Sequence, residues 1–554
     1  MTGPIRQRYR LGIAVALCAA MSGCASLPMP VPSVPFNYQI QPTSVDTPSE
    51  NAPSQMPVPS HTYTDVTSPD RVVSNEPPTA KPKGFADPPP GSGYSRYYDQ
   101  GVTWGACSSY TSGQCARVLA PLDWNDPDGQ AITLTMRRKT ATAALVDPSS
   151  PDLFINPGGP GGSAQDYVDY FNSTGLKGYN IVGLDPRGSG ESTPVVCGTT
   201  AQIDAYFNLD MSPDNDQEKQ DLIDGTREFA QQCLQSSGAL LDHVSTIEAV
   251  YDFDMVRQLL GDTKFNWMGT SYGTFIGAVY LELYPQNAGR MILDAAVSIT
   301  EGSDDDSDGG VSQADGFELA LTKFAEWEVR TGRATSVQSF KTKLTNFIDS
   351  LDSKPISVGN RMLTQSLFVT GLATFMYSGT DAYTVLASTL SQTMDQRNGV
   401  VMLAMADQMN GRSPSGYSPM ATAFPGISCK DWADPGIDAM FGYWDSVSAS
   451  APIFGTYFGP DVVCSVWPVM PAAQIDFRGA GDPPFLVIGG TGDNATPYQY
   501  AVEMAKQMPA AILVTRNGVG HGSYSSGSSC IDKIVRNFLS KGTLPDQGVT
   551  CQMD

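Results

Sequence analysis

Ser271 has the sequence setting of a catalytic nucleophile. It stands at the centre of Gly269-Thr270-Ser271-Tyr272-Gly273, which fits the pattern G-x-S-x-G. The run FNWMG before it predicts a strand, and FIGAVYLELY after it has helical spacing. A sharp turn between a strand and a helix lifts the serine hydroxyl clear of a sheet, and flanking glycines permit that turn. The alternative is a tight strand–helix connection that carries an ordinary serine.

A serine hydroxyl becomes a nucleophile only when a base takes its proton. The chain has three histidines, His61, His243 and His521. His521 lies on a loop after the predicted strand AILVT, late in the chain. His61 lies in a proline-rich segment, and His243 precedes a predicted helix start, where it could be a plain polar loop residue. We therefore predict His521 as the base, with His243 as the rival.

The imidazole needs an acid to orient it and to stabilise its charged form. Asp493 follows the predicted strand FLVIGG and precedes His521 by 28 residues. The resulting order of Ser271, Asp493 and His521 is the one used by nucleophile-elbow folds. Asp185 also follows a strand but precedes the serine, so we expect it to hydrogen-bond within its own turn.

Two backbone N–H groups are predicted to stabilise the oxyanion that forms during acyl transfer. Tyr272 follows the nucleophile, and Gly158 or Gly159 of NPGGPGGS supplies the other donor. A glycine run can also cradle phosphate, but this one lacks both G-K-[ST] and G-x-G-x-x-G. We therefore expect no nucleotide and no other cofactor.

Strands alternate with helices over two stretches of the chain, about 150–297 and 484–540, which predicts a parallel α/β sheet. Between them, residues 301–420 show four helical patterns and no long strand. We interpret this part as a helical cap inserted into the sheet domain. The cap opens with the acidic loop EGSDDDSDGG, which lacks the spacing of an EF-hand and is expected to be solvated.

Composition excludes several function classes. The 554 residues carry a net charge of −23, whereas a nucleic-acid binder needs a basic surface. Three histidines are too few for a multi-histidine metal site, and no C-x-x-C pair offers a zinc ribbon, so no metal is expected. At 41% hydrophobic residues, the chain can bury a sizeable core.

The N-terminus has the pattern of an export signal. Arg6, Arg8 and Arg10 precede an eleven-residue apolar run, and small residues then lead to Cys24. The junction MSGC-AS resembles a bacterial lipobox, which implies a lipoprotein-type signal peptide over 1–24 and a lipid on Cys24; simple cleavage nearby is the alternative. Residues 25–95 hold 16 of the 41 prolines and are predicted to form a disordered tether. We expect a cell-surface, lipid-anchored or secreted protein.

NPGGPGGS, NIVGLDPRGSGES, GTSYGT, ISCKDW and GDNATP together resemble secreted tripeptidyl aminopeptidases and proline iminopeptidase-like members of the α/β-hydrolase superfamily. The resemblance implies an α/β-hydrolase sheet with helices on both faces, its first part over 96–300 and a C-terminal part, like that of the tripeptidyl aminopeptidases, over 421–554. It also implies disulfides between neighbouring cysteines, paired as Cys107–Cys115, Cys197–Cys233, Cys429–Cys464 and Cys530–Cys551.

The resemblance implies a serine exopeptidase that releases short peptides, of tripeptidyl type, from free amino termini. A carboxylesterase with the same triad is the alternative, and a catalytically silent surface binding protein is a third, against which the complete triad argues. An exopeptidase could hold the substrate ammonium with a carboxylate of the cap, and the sequence does not choose among Asp315, Glu318, Glu326 and Glu328. It also leaves the oligomeric state open.

Overall fold

The computed structural model describes residues 53–57, 61–64, 66, 68–73, 78–141, 150–299, 311–479 and 481–554. The predicted signal peptide with Cys24, and the acidic loop 301–310, lie outside these residues. Among the helices of the described residues, none has the length and apolar character needed to cross a membrane.

A mixed sheet of ten strands forms the centre of the fold. The strands follow the order β16-β15-β14-β8-β7-β5-β6-β4-β2, and β3 pairs with β4 along nearly its whole length. From β6 to β16 neighbouring strands are parallel, whereas β2, β3 and β4 form an antiparallel edge. The strand bounds are β1 Tyr63–Thr64, β2 Phe85–Ala86, β3 Gln114–Pro121, β4 Ala131–Lys139, β5 Asp152–Asn156, β6 Asn180–Leu184, β7 Phe265–Thr270, β8 Ala288–Asp294, β9 Ile356–Val358, β10 Arg361–Leu363, β11 Arg412–Ser413, β12 Gly416–Tyr417, β13 Gln474–Ile475, β14 Phe485–Gly492, β15 Ala511–Val519 and β16 Val549–Gln552.

Helices cover both faces of this sheet. Side chains alternate between the faces along a strand, so Trp267 and Met268 of β7 enter different apolar clusters. The predicted α/β sheet with helices on both faces is confirmed. The helix bounds are α1 Ser95–Tyr98, α2 Ala164–Tyr170, α3 Thr200–Phe207, α4 Asp216–Ser237, α5 Thr246–Leu259, α6 Tyr272–Leu283, α7 Gln313–Arg330, α8 Val337–Ser353, α9 Gln365–Tyr377, α10 Tyr383–Gln396, α11 Val400–Met409, α12 Met420–Asp431, α13 Ile437–Ser450, α14 Phe454–Phe458, α15 Tyr498–Gln507 and α16 Ser529–Lys541.

The helices α7 to α11 pack around an apolar cluster of their own, separate from the two clusters on the sheet. The last of the four helical patterns predicted in the cap is two helices, α10 and α11, because Arg397 takes a left-handed backbone conformation that ends α10. The cap also continues beyond residue 420. Phe454 and Phe458 of α14 each lie 5.2 Å, between ring centroids, from Phe317 of α7, which makes α14 part of the same cluster.

The prediction of a disordered tether over 25–95 is wrong for the part of this segment that the structure describes. Strand β1 pairs with β13, and β2 pairs with β4. Arg71 is buried, and its Nη1 donates to the carbonyls of Cys429 at 2.9 Å and Val469 at 2.8 Å. Each proline lacks a backbone N–H, but the residues between the prolines keep their N–H groups and can form hydrogen bonds. A few such anchors hold the segment against the core.

The eight cysteines among the described residues form four disulfides, Cys107–Cys115, Cys197–Cys233, Cys429–Cys464 and Cys530–Cys551. These are the pairs that the family resemblance implied. Each bridge closes a loop of 8 to 36 residues. Such bridges form and persist in an oxidising compartment.

Candidate active site

Ser271 lies on the turn between β7 and α6, at φ 58° and ψ −130°. A non-glycine residue at positive φ is strained and persists only where its surroundings impose that conformation. The Ser271 N–H donates to the carbonyl of Asp294 at 3.0 Å, and the Ser271 carbonyl accepts from the Thr274 hydroxyl at 2.6 Å. A Cβ on Gly269 would collide with the carbonyl of Gly273. The turn therefore has the geometry of a nucleophile elbow.

His521 and Asp493 form a hydrogen-bonded pair, with His521 Nδ1 2.8 Å from Asp493 Oδ1; the carboxylate is buried and the imidazole is partly exposed. Asp493 Oδ1 also accepts the N–H groups of Ala495 at 3.0 Å and Thr496 at 2.9 Å, and Oδ2 accepts from Gly522 at 3.3 Å. The carboxylate is therefore fixed by three backbone donors. Its bond to Nδ1 places the ring proton there and leaves Nε2 as the nitrogen that can accept a proton.

The sheet brings these residues to one edge, because the carboxyl ends of parallel strands β7, β14 and β15 point the same way. The histidine loop touches the elbow directly, since a Cβ on Gly522 would lie 3.8 Å from Thr270 Cγ2. Asp294, at the end of β8, lies between them, and its carboxylate accepts the N–H groups of Ser523 at 3.0 Å and Tyr524 at 2.8 Å.

The electrostatics of the pair favour an ionised acid beside a basic imidazole. Burial alone would raise the pKa of Asp493, but the charge and hydrogen bond of His521 and the backbone donors hold that pKa below its ordinary value. Burial would lower the pKa of His521, yet the carboxylates of Asp493 and Asp294 raise it above its ordinary value. Such a pair can take a proton from Ser271 and keep the resulting positive charge.

The glycine loop packs against the elbow. A Cβ on Gly158, which has φ +94°, would lie 2.6 Å from the Thr270 carbonyl oxygen and 2.9 Å from the Tyr272 nitrogen. The Gly158 N–H donates to Asn156 Oδ1 at 2.8 Å. Of the two glycines that the sequence offers as oxyanion donors, Gly159 is thus the better candidate. Tyr272 begins α6, so its N–H lies beyond the reach of intrahelical carbonyls.

The cap rests directly on the loops of the acid and the base. Gln313 Nε2 of α7 donates to the carbonyl of Ala495, two residues after Asp493, at 2.8 Å. Tyr377, at the end of α9, accepts the His521 N–H at 3.3 Å through its carbonyl. The Tyr377 ring also stands edge-on to the imidazole, 5.4 Å away between centroids. The cap therefore covers the edge of the sheet where the candidate triad lies.

Three of the four cap acids already have partners. Asp315 accepts hydrogen bonds from the N-cap serine of its own helix. Glu318 accepts the ammonium of Lys341 at 2.6 Å and two backbone N–H groups. Glu326 pairs with the lysine three residues before it. Glu328 has one buried carboxylate oxygen without a hydrogen bond among the described residues, and burial raises its pKa.

The rival base, His243, belongs to an ion-pair network away from the elbow. Its Nδ1 lies 3.0 Å from Glu248 Oε1, and Arg187 Nη1 lies 3.4 Å from the same oxygen. Asp123, His243 and Glu248 could bring three metal-ligand atoms together, but the Arg187 guanidinium already supplies the positive charge there. His61 lies on the N-terminal segment, beside β1.

Asp185 hydrogen-bonds within its own turn through Glu191, as predicted, and also to Ser163 and Gln165 at the start of α2. It accepts the Ser163 hydroxyl at 3.1 Å, the Gln165 amide at 2.7 Å and the Glu191 N–H at 2.8 Å. Burial raises its pKa to about 6. Asp185 thus holds its own turn together.

Sequence reasoning missed Asp294 and Tyr377. Asp294 follows the apolar run RMIL at the carboxyl end of a strand, the same signal that identified Asp493, but the apolar run AAV follows it and hides the end of the strand. Strand β8 ends at Asp294. Tyr377 carries no such signal, because its contact with His521 joins the cap to a loop 144 residues later in the chain.

A family model described as "TAP-like protein" matches residues 451–551. The curated protein "Serine protease Hip1" of Mycobacterium tuberculosis is 30% identical over 488 residues, which cover 82% of this chain and 91% of that protein. "Carboxylesterase B" of the same organism is 31% identical over 475 residues, covering 81% and 89%.

"Tripeptidyl aminopeptidase" of Streptomyces coelicolor is 27% identical over 476 residues, which cover 81% of this chain and 86% of that protein. The similarity to all three relatives spans most of each chain. Their names include both peptidase and esterase activities.

Proposed function

Because the chain belongs to the α/β-hydrolase family that contains serine proteases, tripeptidyl aminopeptidases and carboxylesterases, we propose that it is an exported serine hydrolase that releases short peptides, of tripeptidyl type, from free amino termini. The observation that carries this proposal is the 2.8 Å pair of His521 and Asp493 on loops beside the strained turn of Ser271. The reaction class is acyl transfer to water.

In the proposed mechanism Ser271 Oγ attacks the scissile carbonyl carbon while His521 Nε2 takes the hydroxyl proton. The N–H groups of Tyr272 and Gly159 donate to the oxyanion of the tetrahedral intermediate. Its collapse breaks the C–N bond, and the imidazolium returns the proton to the leaving amine. Water, deprotonated by His521, then attacks the acyl carbon; the ester bond to Ser271 Oγ breaks, the imidazolium returns its proton to that oxygen, and the peptide acid leaves. Asp493 stays ionised throughout.

Two observations support a peptidase. The chain is similar to a tripeptidyl aminopeptidase and to a serine protease over more than four-fifths of its length. The cap also rests on both the acid and base loops through Gln313 and Tyr377, and such a cover keeps folded proteins from the nucleophile. The carboxylesterase remains the second candidate, because a relative with that name is 31% identical.

A matched pair of substrates tests the choice. A tripeptide p-nitroanilide with a free amino terminus should be hydrolysed, and the N-acetylated anilide of the same tripeptide should be rejected. A carboxylate that recognises the ammonium would otherwise stay buried without its partner, which is costly. Equal cleavage of both would exclude recognition of a free amino terminus, and cleavage of neither beside rapid hydrolysis of simple aryl esters would favour the carboxylesterase.

We further propose that the chain is exported by the signal at residues 1–24 and is held at a membrane by lipid on Cys24. The four disulfides support an oxidising compartment outside the cytoplasm. Mass spectrometry of the mature N-terminus in a native host should find a lipid-modified Cys24. An unmodified terminus downstream of that residue would contradict the anchor.

A further inference from the structure

A buried carboxylate lies beneath the nucleophile elbow and plays no part in the mechanism above. Asp431 is the last residue of α12 and accepts the Thr246 N–H at 2.7 Å, the Thr246 hydroxyl at 2.6 Å and the Tyr272 hydroxyl at 3.1 Å. The Thr246 and Tyr272 hydroxyls also hydrogen-bond to each other. The exposed fractions of the three residues are 6%, 1% and 4%. The cluster joins α12 to two helices that are distant from it in sequence, since Thr246 and Tyr272 precede Asp431 by 185 and 159 residues.

This carboxylate has no cation within salt-bridge distance among the described residues. The neighbouring Lys430 directs its ammonium to Asp242 and to the Met470 carbonyl instead. The N-terminus of α5, where Thr246 is the first residue, supplies a partial positive charge. Burial nevertheless raises the pKa of Asp431 to about 7, although the donors and Lys430 lower it. Burying such a group is expensive, and costly buried acids concentrate at functional sites.

The cluster reaches the proposed oxyanion site through Tyr272. The phenol of this residue binds Asp431, while its backbone N–H is one of the two proposed oxyanion donors. Its ring packs against Phe275 and Trp432, with centroids 6.2 Å and 6.3 Å away. A side chain fixed at its ring and at its hydroxyl restrains the rotation of its own peptide group.

The same helix contacts the second proposed donor. A Cβ on Gly161 would lie 2.7 Å from Ala423 Cβ and 3.3 Å from Met420 Cα, so the first turn of α12 packs closely on the glycine loop that contains Gly159. The disulfide at Cys429 fixes the other end of the helix. One helix therefore touches both sides of the proposed oxyanion hole.

Resting on the proposed function, we propose that α12 positions the oxyanion hole and that Asp431 is the positioning residue that holds Tyr272 in place. Asp431 acts through the phenol of Tyr272 and does not touch the substrate. Because oxyanion donors act on the transition state, losing this support should lower kcat and leave KM nearly unchanged.

The experiment compares Asp431→Asn, Tyr272→Phe and the double variant, with Asp434→Asn as the control. Asp434 is a buried carboxylate three residues away that accepts from Gly436 and Ser465 and does not contact the elbow. Each variant is checked for wild-type thermal unfolding and assayed with one substrate, peptide or aryl ester, that the wild type turns over. A fluorophosphonate label on Ser271 gives a readout that is independent of the substrate.

We expect each single variant to lose roughly 10- to 100-fold in kcat, below the roughly 10²–10³-fold cost of removing an oxyanion donor outright. The kcat of the double variant should be no lower than that of the less active single variant, since both changes break the same contact between Asp431 and Tyr272. The loss of kcat in Asp431→Asn, relative to the wild type, should be larger at pH 8.5 than at pH 6, because at pH 6 the wild-type Asp431 is itself mostly protonated. Asp434→Asn should keep its kcat.

The inference would be overturned if folded Asp431→Asn and Tyr272→Phe kept the wild-type kcat, or if their losses multiplied in the double variant. The proposed function would still stand in that case, provided that the fluorophosphonate labels Ser271. If Asp431→Asn does not fold, Tyr272→Phe decides alone, because it removes only one hydroxyl. A wild-type protein that is not labelled at Ser271 would instead overturn the proposed function, and this inference with it.

Discussion

The backbone carbonyl of Asp294 accepts the N–H of Ser271 at 3.0 Å, at the carboxyl end of β8. The carboxylate of the same residue accepts the N–H groups of Ser523 and Tyr524, which follow His521. Asp294 therefore ties the elbow of the proposed nucleophile to the loop of the proposed base. Asp294 thereby contributes to the relative position of Ser271 and His521.

The substitution Asp294→Asn should weaken this tie. An amide offers one acceptor oxygen and turns an NH₂ group toward N–H donors, which leaves a buried donor unpaired. We expect a loss of about 1–3 kcal/mol in the free energy of unfolding and a fall in kcat. Chemical denaturation and steady-state kinetics measure both. Unchanged kcat in the folded variant would show that Asp294 does not position His521.

The proposed base predicts the pH profile. The pKa of His521 lies above its ordinary value of 6.5, so on acidification the imidazole is protonated already at a higher pH. A protonated imidazole cannot take the Ser271 proton, so kcat/KM should fall as the pH drops through a value above 6.5. Asp493→Asn should lower the maximal kcat/KM by roughly 10⁴-fold, and the fall of kcat/KM on acidification should occur at a lower pH. A profile that stays flat from pH 8 to pH 5 would contradict the assignment.

The glycine loop offers a steric test. Gly158→Ala places a Cβ 2.8 Å from Ser271 Cβ at a backbone conformation that alanine disfavours. The loop must then move away from the elbow, and a shift of about 1 Å can cost roughly 10²-fold in rate. Gly178→Ala is the control, because a Cβ there meets nothing within 4 Å. Equal activities of the two variants would exclude a close fit between loop and elbow.

A second acid, which is partly buried, predicts how stability depends on pH. Burial and the charge of Asp152 raise the pKa of Asp262 to about 7. The group is protonated in the fold at low pH, and its stabilisation is lost as the pH rises from the unfolded value near 4 through about 7. Asp262→Asn should therefore gain stability relative to wild type toward pH 8, by about 1 kcal/mol after screening of this partly exposed group. Denaturant unfolding at pH 4.5 and pH 8 measures the difference, with the exposed Asp224→Asn as the control; a constant difference would contradict it.

The residues proposed for the triad could be identified from the sequence because each follows a short apolar strand. The change from strand to helical spacing around Ser271 is local, and the loops of Asp493 and His521 carry the same kind of signal. Their geometry as a triad is a proposal that the kinetic tests above address. The alternation of strands with helices along the chain also followed from local pattern, whereas the order of the strands within the sheet was not predicted.

Contacts between distant segments could not be predicted in this way. Asp431 and Tyr272 are 159 residues apart, and no local pattern links them. Arg71 lies in a segment whose average composition predicts disorder, yet its bonds to Cys429 and Val469 depend on a single side chain. Composition describes a segment as a whole and does not detect one buried anchor.

Covalent labelling is the sharpest test of whether Ser271 is the nucleophile. Wild-type protein treated with a fluorophosphonate and digested should carry the label on Ser271, at a rate that depends on His521. Ser271→Ala and His521→Ala should each lose roughly 10⁵–10⁶-fold in kcat. Ser271 would be ruled out as the nucleophile if peptide mapping found the label on another residue, or if labelling and turnover persisted in Ser271→Ala.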